Sequence, residues 1–221
     1  MANVAVFDLD GTIVDGDMFV AYARHVLLRR PWRLGHCFGL IAPAVGFALG
    51  RVSNDVAKQR LLNAVAGGAT RAEVARWANS FAQAQLARML KPMAAQRIAS
   101  HAASGDLLVL ATASLDLYAQ EIGRVLGFDH VLATQALWHN DRLVCGLDGP
   151  NLRDAAKRDA VTALLARLDL QAARITAYSD HHSDLPLLRL ADTGVAVDPT
   201  RKLADAAAGF GLQVEHWRKD G

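Results

Sequence analysis

The order of apolar and polar positions predicts a chain in which strands and helices alternate. Short apolar runs typical of strands buried on both faces occur at 4–7, 106–111, 130–137, 174–178 and 194–197. Helical periodicity fills the intervals between the later runs, at 93–104, 115–126, 153–168 and 183–190. A turn at 139–141 leads into a further short strand at 142–145. We therefore predict a three-layer α/β fold with a Rossmann-like parallel sheet as its core.

Residues 17–90 interrupt this alternation, because they carry no strand pattern. Helical patterns cover 18–30, 34–49, 53–65 and 71–90. Ser53 and Thr70 are the expected N-caps of the last two helices, and Gly67-Gly68 is the expected stop between them. We expect a catalytic core formed by 1–16 and 91–221, with 17–90 inserted as a helical cap.

Composition narrows the class of protein. The chain has 221 residues, of which 52% are hydrophobic, and a formal net charge of +2, which is too balanced to indicate a nucleic-acid partner. Cys37 and Cys145 lack the spacing of a metal or redox pair, so we expect both to be reduced and buried. The first strand begins near residue 3, which predicts no cleaved signal peptide and a cytoplasmic location.

Two aspartates follow the first strand. Asp8 and Asp10 lie one residue apart and lead into Gly11-Thr12. The carboxyl ends of parallel strands are the reactive edge of such a sheet, and adjacent carboxylates repel each other unless a cation intervenes. Oxygen ligands of this kind favour Mg²⁺.

The stretch from Val4 to Thr12 resembles motif I of the haloacid dehalogenase superfamily, an apolar strand followed by Asp-x-Asp-Gly-Thr. The insertion at 17–90 also resembles the type 1 cap of that superfamily. The resemblance implies that Asp8 is a nucleophile that forms an aspartyl-phosphate. It also implies that Asp10 is the general acid and base, and that Asp8 and the Asp10 backbone carbonyl bind Mg²⁺.

Three later segments resemble the remaining motifs in the family's order. Thr112 and Ala113 follow a buried strand as in motif II, and Lys157 lies near a helix start as in motif III. Asp180 and Asp184 match the spaced acids of motif IV. The resemblance implies that Thr112, Ala113 and Lys157 bind phosphate. It implies that Asp180 and Asp184 belong to the metal site. Capping of the helix that follows motif II is the other interpretation of Thr112, and the two roles can be shared if Thr112 donates to phosphate while Ser114 caps the helix.

Other polar residues near these motifs have simpler interpretations. His181 and His182 have no third soft ligand nearby, so a zinc site is disfavoured and one histidine is expected to pack or to line the pocket. Arg153 and Arg158 are expected to be surface charges.

The second acid, Asp10, discriminates among relatives, because superfamily dehalogenases lack it and ATP-driven pumps replace it. The resemblance therefore implies a phosphomonoester hydrolase. A receiver-like phosphoacceptor, which also combines acids, Thr, Lys and Mg²⁺, is an alternative from a different class. A phospho-ligand-binding protein without turnover is another.

Cap and motif order most resemble the phosphoserine-phosphatase-like branch, subfamily IB, which implies a small phosphorylated substrate. Asp17 and Ser183 stand at substrate-binding positions of that branch. The branch usually has Ser at Gly11, Glu at Asp17 and Asn at Ser183, so phosphoserine itself stays open. Asp17 is also a candidate N-cap for the helix at 18–30.

The apolar stretch at 34–50 leaves a second substrate class open. It follows a group of arginines, Arg24, Arg29, Arg30 and Arg33. The combination resembles phosphatidylglycerophosphatase C, which implies a lipid phosphatase whose cap contacts an anionic membrane at its inner face. The other interpretation is a core helix of the cap.

Overall fold

The computed structural model of the chain describes residues 3–37 and 54–218. Its strands are β1 (Asn3–Phe7), β2 (Leu107–Leu115), β3 (His130–Thr134), β4 (Ala136–His139), β5 (Arg142–Leu147), β6 (Arg174–Ser179), β7 (Thr193–Val197) and β8 (Gln213–Glu215). Among the described residues, six of them form one parallel sheet in the order β3-β2-β1-β6-β7-β8. The first strand is therefore central, between β2 and β6. The predicted parallel α/β sheet is confirmed.

Helices occupy the described residues between β1 and β2 and then alternate with the later strands. They are α1 (Met18–Arg29), α2 (Leu34–Cys37), α3 (Asn54–Ala66), α4 (Arg71–Met89), α5 (Pro92–Ala103), α6 (Asp116–Leu126), α7 (Ala155–Arg167), α8 (Leu185–Leu190) and α9 (Arg201–Ala207). Thr70 caps α4 in a capping box with Glu73, and α3 ends just before Gly67, as predicted.

Part of the predicted cap lies outside the described residues. Ser53, the expected N-cap, and most of the apolar stretch at 34–50, expected as a core helix or a membrane-facing one, belong to that part. Within 3–37 and 54–218, no helix is long and apolar enough to cross a membrane.

The alternation along β1 explains the three layers. Ala5 and Phe7 are buried in the hydrophobic cluster that also contains residues of α1, α3 and α4. Val4 and Val6 point to the opposite cluster, which they share with residues of α7 and α8. Because both faces of β1 are covered, its end delivers Asp8 to a protected edge of the sheet.

Two sequence expectations are corrected, and two further elements were missed. The run at 130–137 is not one strand, because β3 stays in the parallel sheet and β4 turns away to pair with β5. The turn of this hairpin was predicted, and Asn140 and Asp141 adopt φ of 45° and 60° there. The segments that form α9 and β8 were not predicted, and Cys145 is exposed rather than buried.

Candidate active site

The predicted site residues converge on one cavity at the carboxyl edge of the sheet. The cavity has a volume of about 420 Å³ and lies beyond β1, β2 and β6. The predicted residues that line it are Asp8, Asp10, Asp17, Thr112, Ala113, Lys157, Asp180, Ser183 and Asp184. Four segments that are distant in sequence therefore meet at the carboxyl edge of the sheet, as predicted from the positions of the strand ends.

Lys157 connects the first and last motifs. Its Nζ donates to Asp8 Oδ1 at 2.7 Å and to Asp184 Oδ2 at 2.6 Å. Ser179 Oγ, at the end of β6, donates to the same Asp184 oxygen at 2.7 Å. The Lys157 side chain is only 2% exposed, so its charge acts in a poorly solvated site.

The carboxylates of the site are crowded. Burial, aided by the nearby Asp184 and Asp180, raises the pKa of Asp8 to about 8, although Lys157 opposes the shift. Burial and Asp184 raise the pKa of Asp180 to about 6. Burial disfavours the Lys157 ammonium, but the charges of Asp184 and Asp8 outweigh it and raise the lysine pKa. Lys157 alone therefore does not offset the effects of burial and mutual repulsion on the Asp8 and Asp180 carboxylates.

Asp10 is held at both carboxylate oxygens. The backbone N–H of Met18 donates to its Oδ1 at 2.6 Å, and Ser114 Oγ donates to its Oδ2 at 2.5 Å. Tyr118 donates to Ser114 Oγ at 2.9 Å. Burial raises the pKa of Asp10, although the hydrogen bonds from Ser114 and Met18 oppose the shift. A carboxyl group with a raised pKa is a better proton donor near neutral pH.

The expected capping role of Ser114 is wrong. The N-cap of α6 is Leu115, and no side chain caps that helix. β2 continues through Leu115, so the Ser114 side chain faces Asp10 instead. Its backbone N–H donates to Thr112 Oγ1 at 3.0 Å, which fixes the Thr112 hydroxyl at the cavity wall.

The turn after Asp10 brings the two acidic motifs together. Gly11 adopts φ of +78°, and a Cβ there would lie 2.3 Å from Asp180 Oδ2. Thr12 Oγ1 accepts a hydrogen bond from the Asp180 backbone N–H at 2.9 Å. The same hydroxyl lies 3.5 Å from Asp8 Oδ2 and 3.4 Å from Asp180 Oδ1. Asp8 and Asp180 thus face each other across one small side chain.

The donor set fits an open magnesium site better than a closed metal cluster. Within the described ranges, no group of three or more His, Cys, Asp or Glu side chains is arranged to hold a metal by itself. Mg²⁺ usually takes only one or two protein carboxylates and keeps several waters. The facing carboxylates of Asp8 and Asp180 meet that requirement. Asp184 Oδ1 is buried without a hydrogen-bond partner among the described residues, which marks it as an acceptor for a further group.

The two residues expected to bind substrate have local partners as well. Asp17 Oδ1 accepts from the backbone N–H groups of Phe19 and Val20, so the capping interpretation holds. Ser183 Oγ lies 2.9 Å from His181 Nδ1. His181 lines the cavity, as expected for one of the two histidines. His182 lies instead in a neighbouring surface groove.

Several residues near the site escaped the sequence analysis. Lys58, Asn151 and Arg218 line the cavity, and Arg153 does so although it was expected at the surface. Lys91, 1% exposed, donates to the Gly11 carbonyl behind the cavity. For Ser114, its position two residues after Thr112 was a signal in the sequence that it lies near the site. The lysines and arginines that line the cavity have no sequence pattern that distinguishes them from ordinary surface residues.

Comparisons with known proteins agree with this geometry. The family model for haloacid dehalogenase-like hydrolases matches residues 5–189. The phosphoserine phosphatase SerB1 of Mycobacterium tuberculosis is 30% identical over 221 residues, which is 99% of this chain and 72% of that protein.

Solved structures share the fold. A Bordetella pertussis Tohama I protein of unknown function matches with a TM-score of 0.81 and 26% identity, over 97% of this chain and 98% of its own. A phosphoserine phosphatase solved as a phospho-aspartyl intermediate analogue matches with a TM-score of 0.65 over 99% of this chain and 95% of its own. Its identity is 14%, so that likeness concerns the fold alone. The chain belongs to the haloacid dehalogenase-like hydrolases and is a phosphatase of their phosphoserine-phosphatase-like branch.

Proposed function

We propose that the protein is a Mg²⁺-dependent phosphomonoester hydrolase that works through an aspartyl-phosphate on Asp8. The observation that carries the proposal is the placement of Asp8. Asp8 comes directly after the central strand, accepts a hydrogen bond from Lys157 and faces Asp180. The cavity around it is large enough for a small phosphate ester. The family match to hydrolases favours this activity over a receiver-like phosphoacceptor or a protein that only binds phospho-ligands.

In the first step a carboxylate oxygen of Asp8 attacks phosphorus, and the bond between phosphorus and the ester oxygen breaks. Asp10 gives its proton to the departing alkoxide, a role that its raised pKa supports. In the second step a water attacks the same phosphorus, Asp10 takes a proton from that water, and the bond to Asp8 breaks. Inorganic phosphate leaves and both aspartates return to their starting states.

The other residues hold charge. Lys157 and the Thr112 hydroxyl, with the backbone at Ala113, bind the phosphoryl oxygens, over which the transition-state charge spreads. Asp8, Asp180 and the Asp10 carbonyl would hold Mg²⁺, and Asp184 would orient it together with Lys157. When bound, the ion supplies positive charge that lets an anionic nucleophile approach an anionic phosphate. The raised pKa values of Asp8 and Asp180 support a cation as part of the active state.

We assign the substrate to small phosphorylated metabolites, phosphoserine or a related ester, with Asp17 and Ser183 contacting the leaving group. Residues 17–90 would act as the cap and 1–16 with 91–221 as the core. The lipid-phosphatase alternative depends on the stretch at 34–50, and no observation on the described residues favours it.

A panel of phosphate esters tests the proposal. Phosphoserine, glycerol phosphate, histidinol phosphate, sugar phosphates and phosphatidylglycerophosphate are assayed for phosphate release with Mg²⁺ and with EDTA. We expect Mg²⁺-dependent release from at least one small ester. We expect loss of at least about a thousandfold in Asp8→Asn and in Asp10→Asn. Asp159→Asn, an exposed acid on α7, is the matched control. Metal-independent turnover, or full activity in Asp8→Asn, would overturn the proposal.

A further inference from the structure

Lys91 is a buried cation that the proposed reaction does not use. It lies between α4 and α5, where the chain returns from the helices to the sheet, and its side chain is 1% exposed. Its Nζ donates to the Gly11 carbonyl and, at 2.7 Å, to Asp198 Oδ2. Asp15 Oδ1 lies 3.8 Å away. A lysine is rarely buried to this extent unless its charge is paired, so we examine what the buried ammonium of Lys91 stabilises.

The backbone around Lys91 pairs with the segment that leads from the catalytic turn into α1. Lys91 N–H donates to the Ile13 carbonyl at 3.0 Å, and Asp15 N–H donates to the Met89 carbonyl at 2.9 Å. The two connections between sheet and inserted helices therefore run side by side. Lys91 adds a side-chain bond that reaches past this pairing to the catalytic turn.

The contact at Gly11 is where Lys91 acts on the site. Gly11 packs so closely on Asp180 that no Cβ fits between them. A change in the position of the Gly11 carbonyl is therefore transmitted directly to the Asp180 carboxylate. The hydroxyl of the neighbouring Thr12 accepts from the Asp180 backbone N–H and lies beside Asp8 Oδ2. The same shift therefore also changes the distance between Asp8 and Asp180.

The other end of the Lys91 ammonium is anchored firmly. Asp198 follows β7, adopts φ of 42° and accepts from the backbone N–H of Trp217 at 3.0 Å. Burial favours the neutral Asp198 carboxyl, but the hydrogen bond and charge of Lys91 outweigh it and hold its pKa below the usual value. The anchor is therefore a hydrogen-bonded anion at the end of β7.

We propose that Lys91 is a positioning residue for phosphate-ester hydrolysis: by holding the Gly11 carbonyl against the Asp198 anchor, it keeps the Asp180 carboxylate at its working distance from Asp8. The proposal rests on the function proposed above. Lys91 touches neither substrate nor the reacting atoms. Its part is to set the geometry of the acids that receive Mg²⁺.

Two variants separate positioning from simple ion pairing. Lys91→Met/Asp198→Asn removes both charges together, so neither partner is left buried and unpaired. Asp198→Asn alone keeps the Lys91 bond to Gly11, because the single asparagine oxygen can still accept from the ammonium while the Trp217 N–H bond is given up. A role confined to the ion pair predicts equal defects in the two variants, whereas a positioning role predicts a defect in the double variant only.

The measurements are kcat and KM for p-nitrophenyl phosphate, Mg²⁺ affinity by calorimetry, and hydrogen exchange of the peptide containing residues 8–14. In the double variant we expect kcat to fall at least tenfold, Mg²⁺ binding to weaken at least fivefold, KM to stay within twofold, and exchange in that peptide to accelerate. In Asp198→Asn we expect kcat within threefold of wild type.

A folded double variant with kcat, Mg²⁺ affinity and exchange all within twofold of wild type would overturn the positioning role, and so would equal losses in both variants. The exchange measurement keeps this outcome separate from a failure of the proposed function. If the wild type hydrolyses no ester while exchange still accelerates in the double variant alone, the function is wrong and the positioning of the turn stands.

Discussion

Ser114 Oγ lies 2.5 Å from Oδ2 of Asp10 and donates a hydrogen bond to it. This contact joins the end of β2 to the turn after β1, across two neighbouring strands. Because Met18 N–H occupies the other oxygen, the orientation of the Asp10 carboxyl is determined by the protein on both sides. The residue proposed to move the proton is therefore held before substrate arrives.

Removing that donor tests its importance. In Ser114→Ala we expect kcat to fall about tenfold, the equivalent of about 1.4 kcal/mol, because Asp10 is free to rotate. Tyr118→Phe removes the tyrosine's bonds to Ser114 Oγ and to the Leu115 backbone but keeps the bond from Ser114 to Asp10, so it is expected to stay within threefold of wild type. Steady-state kinetics on the best substrate checks both. Equal activity in Ser114→Ala and wild type would show that this bond is not needed.

Gly11 and Gly127 provide a matched pair for the catalytic turn. Both have positive φ, +78° and +79°, but a Cβ at Gly127 meets nothing within 4 Å. We expect Gly127→Ala to cost about 1–2 kcal/mol of unfolding free energy from backbone strain and to keep its activity. Gly11→Ala adds the clash with Asp180 and is expected to lose activity by at least about a hundredfold. Urea unfolding and phosphate release compare the two, and similar activities would contradict the close packing.

Lys157 is expected to matter for stability as well as for activity. In Lys157→Met the carboxylates of Asp8 and Asp184 lose their shared buried partner. Breaking a buried ion pair by removing one side costs about 3–5 kcal/mol. Because addition of Mg²⁺ would supply the missing charge, the loss should shrink with millimolar Mg²⁺. Denaturant unfolding with and without Mg²⁺ checks this, with the exposed Lys202→Met as control. An unchanged unfolding free energy in Lys157→Met would contradict it.

The buried His25, which lies away from the active site, is expected to make the free energy of unfolding depend on pH. Burial, aided by Arg29, lowers the pKa of His25 to about 4 in the fold, and its Nε2 lies 3.0 Å from Ser80 Oγ. An unfolded histidine has a pKa of about 6.5, so between these values the unfolded chain binds a proton that the folded chain does not. The contribution of His25 to stability should therefore fall as pH drops from about 6.5 to 4, by up to about 1.4 kcal/mol per pH unit.

Unfolding free energies of wild type and His25→Phe across this range measure that contribution. The difference between them should change with pH below about 6.5 and be constant above it. His139→Gln, an exposed histidine, is the control and should follow the wild-type curve. A pH-independent difference for His25→Phe would contradict a buried neutral imidazole.

Most of the sheet and the converging motifs could be predicted from the sequence. Buried parallel strands have continuous apolar runs in the sequence; Asp8 and Asp180 come directly after β1 and β6, and Thr112 lies within β2, just after its apolar run. Strand ends of one parallel sheet share an edge, so placing the strands also placed these side chains. The roles of these residues, and the boundaries of the cap, stay predictions.

The parts that could not be predicted depend on tertiary contacts. Whether Ser114 faces Asp10 depends on how far β2 continues, and a shift of one residue would turn it to the other face. The break between β3 and β4 at residue 135 is too short to change the apolar pattern, so the two strands look like one. Strand β8 has only three residues, which is too few for a periodic signal. Lys91 looks like any helix-flanking lysine until Asp198, distant in sequence, is placed beside it.

The most direct measurement is the location of the phosphoryl group during turnover. The enzyme is mixed with its best substrate and Mg²⁺, quenched in acid within the first turnovers, and digested for mass spectrometry of the peptide containing Asp8. We predict a peptide heavier by one phosphoryl group at Asp8, absent from Asp8→Asn. Phosphorylation at a different residue, or undiminished turnover in Asp8→Asn, would contradict the account.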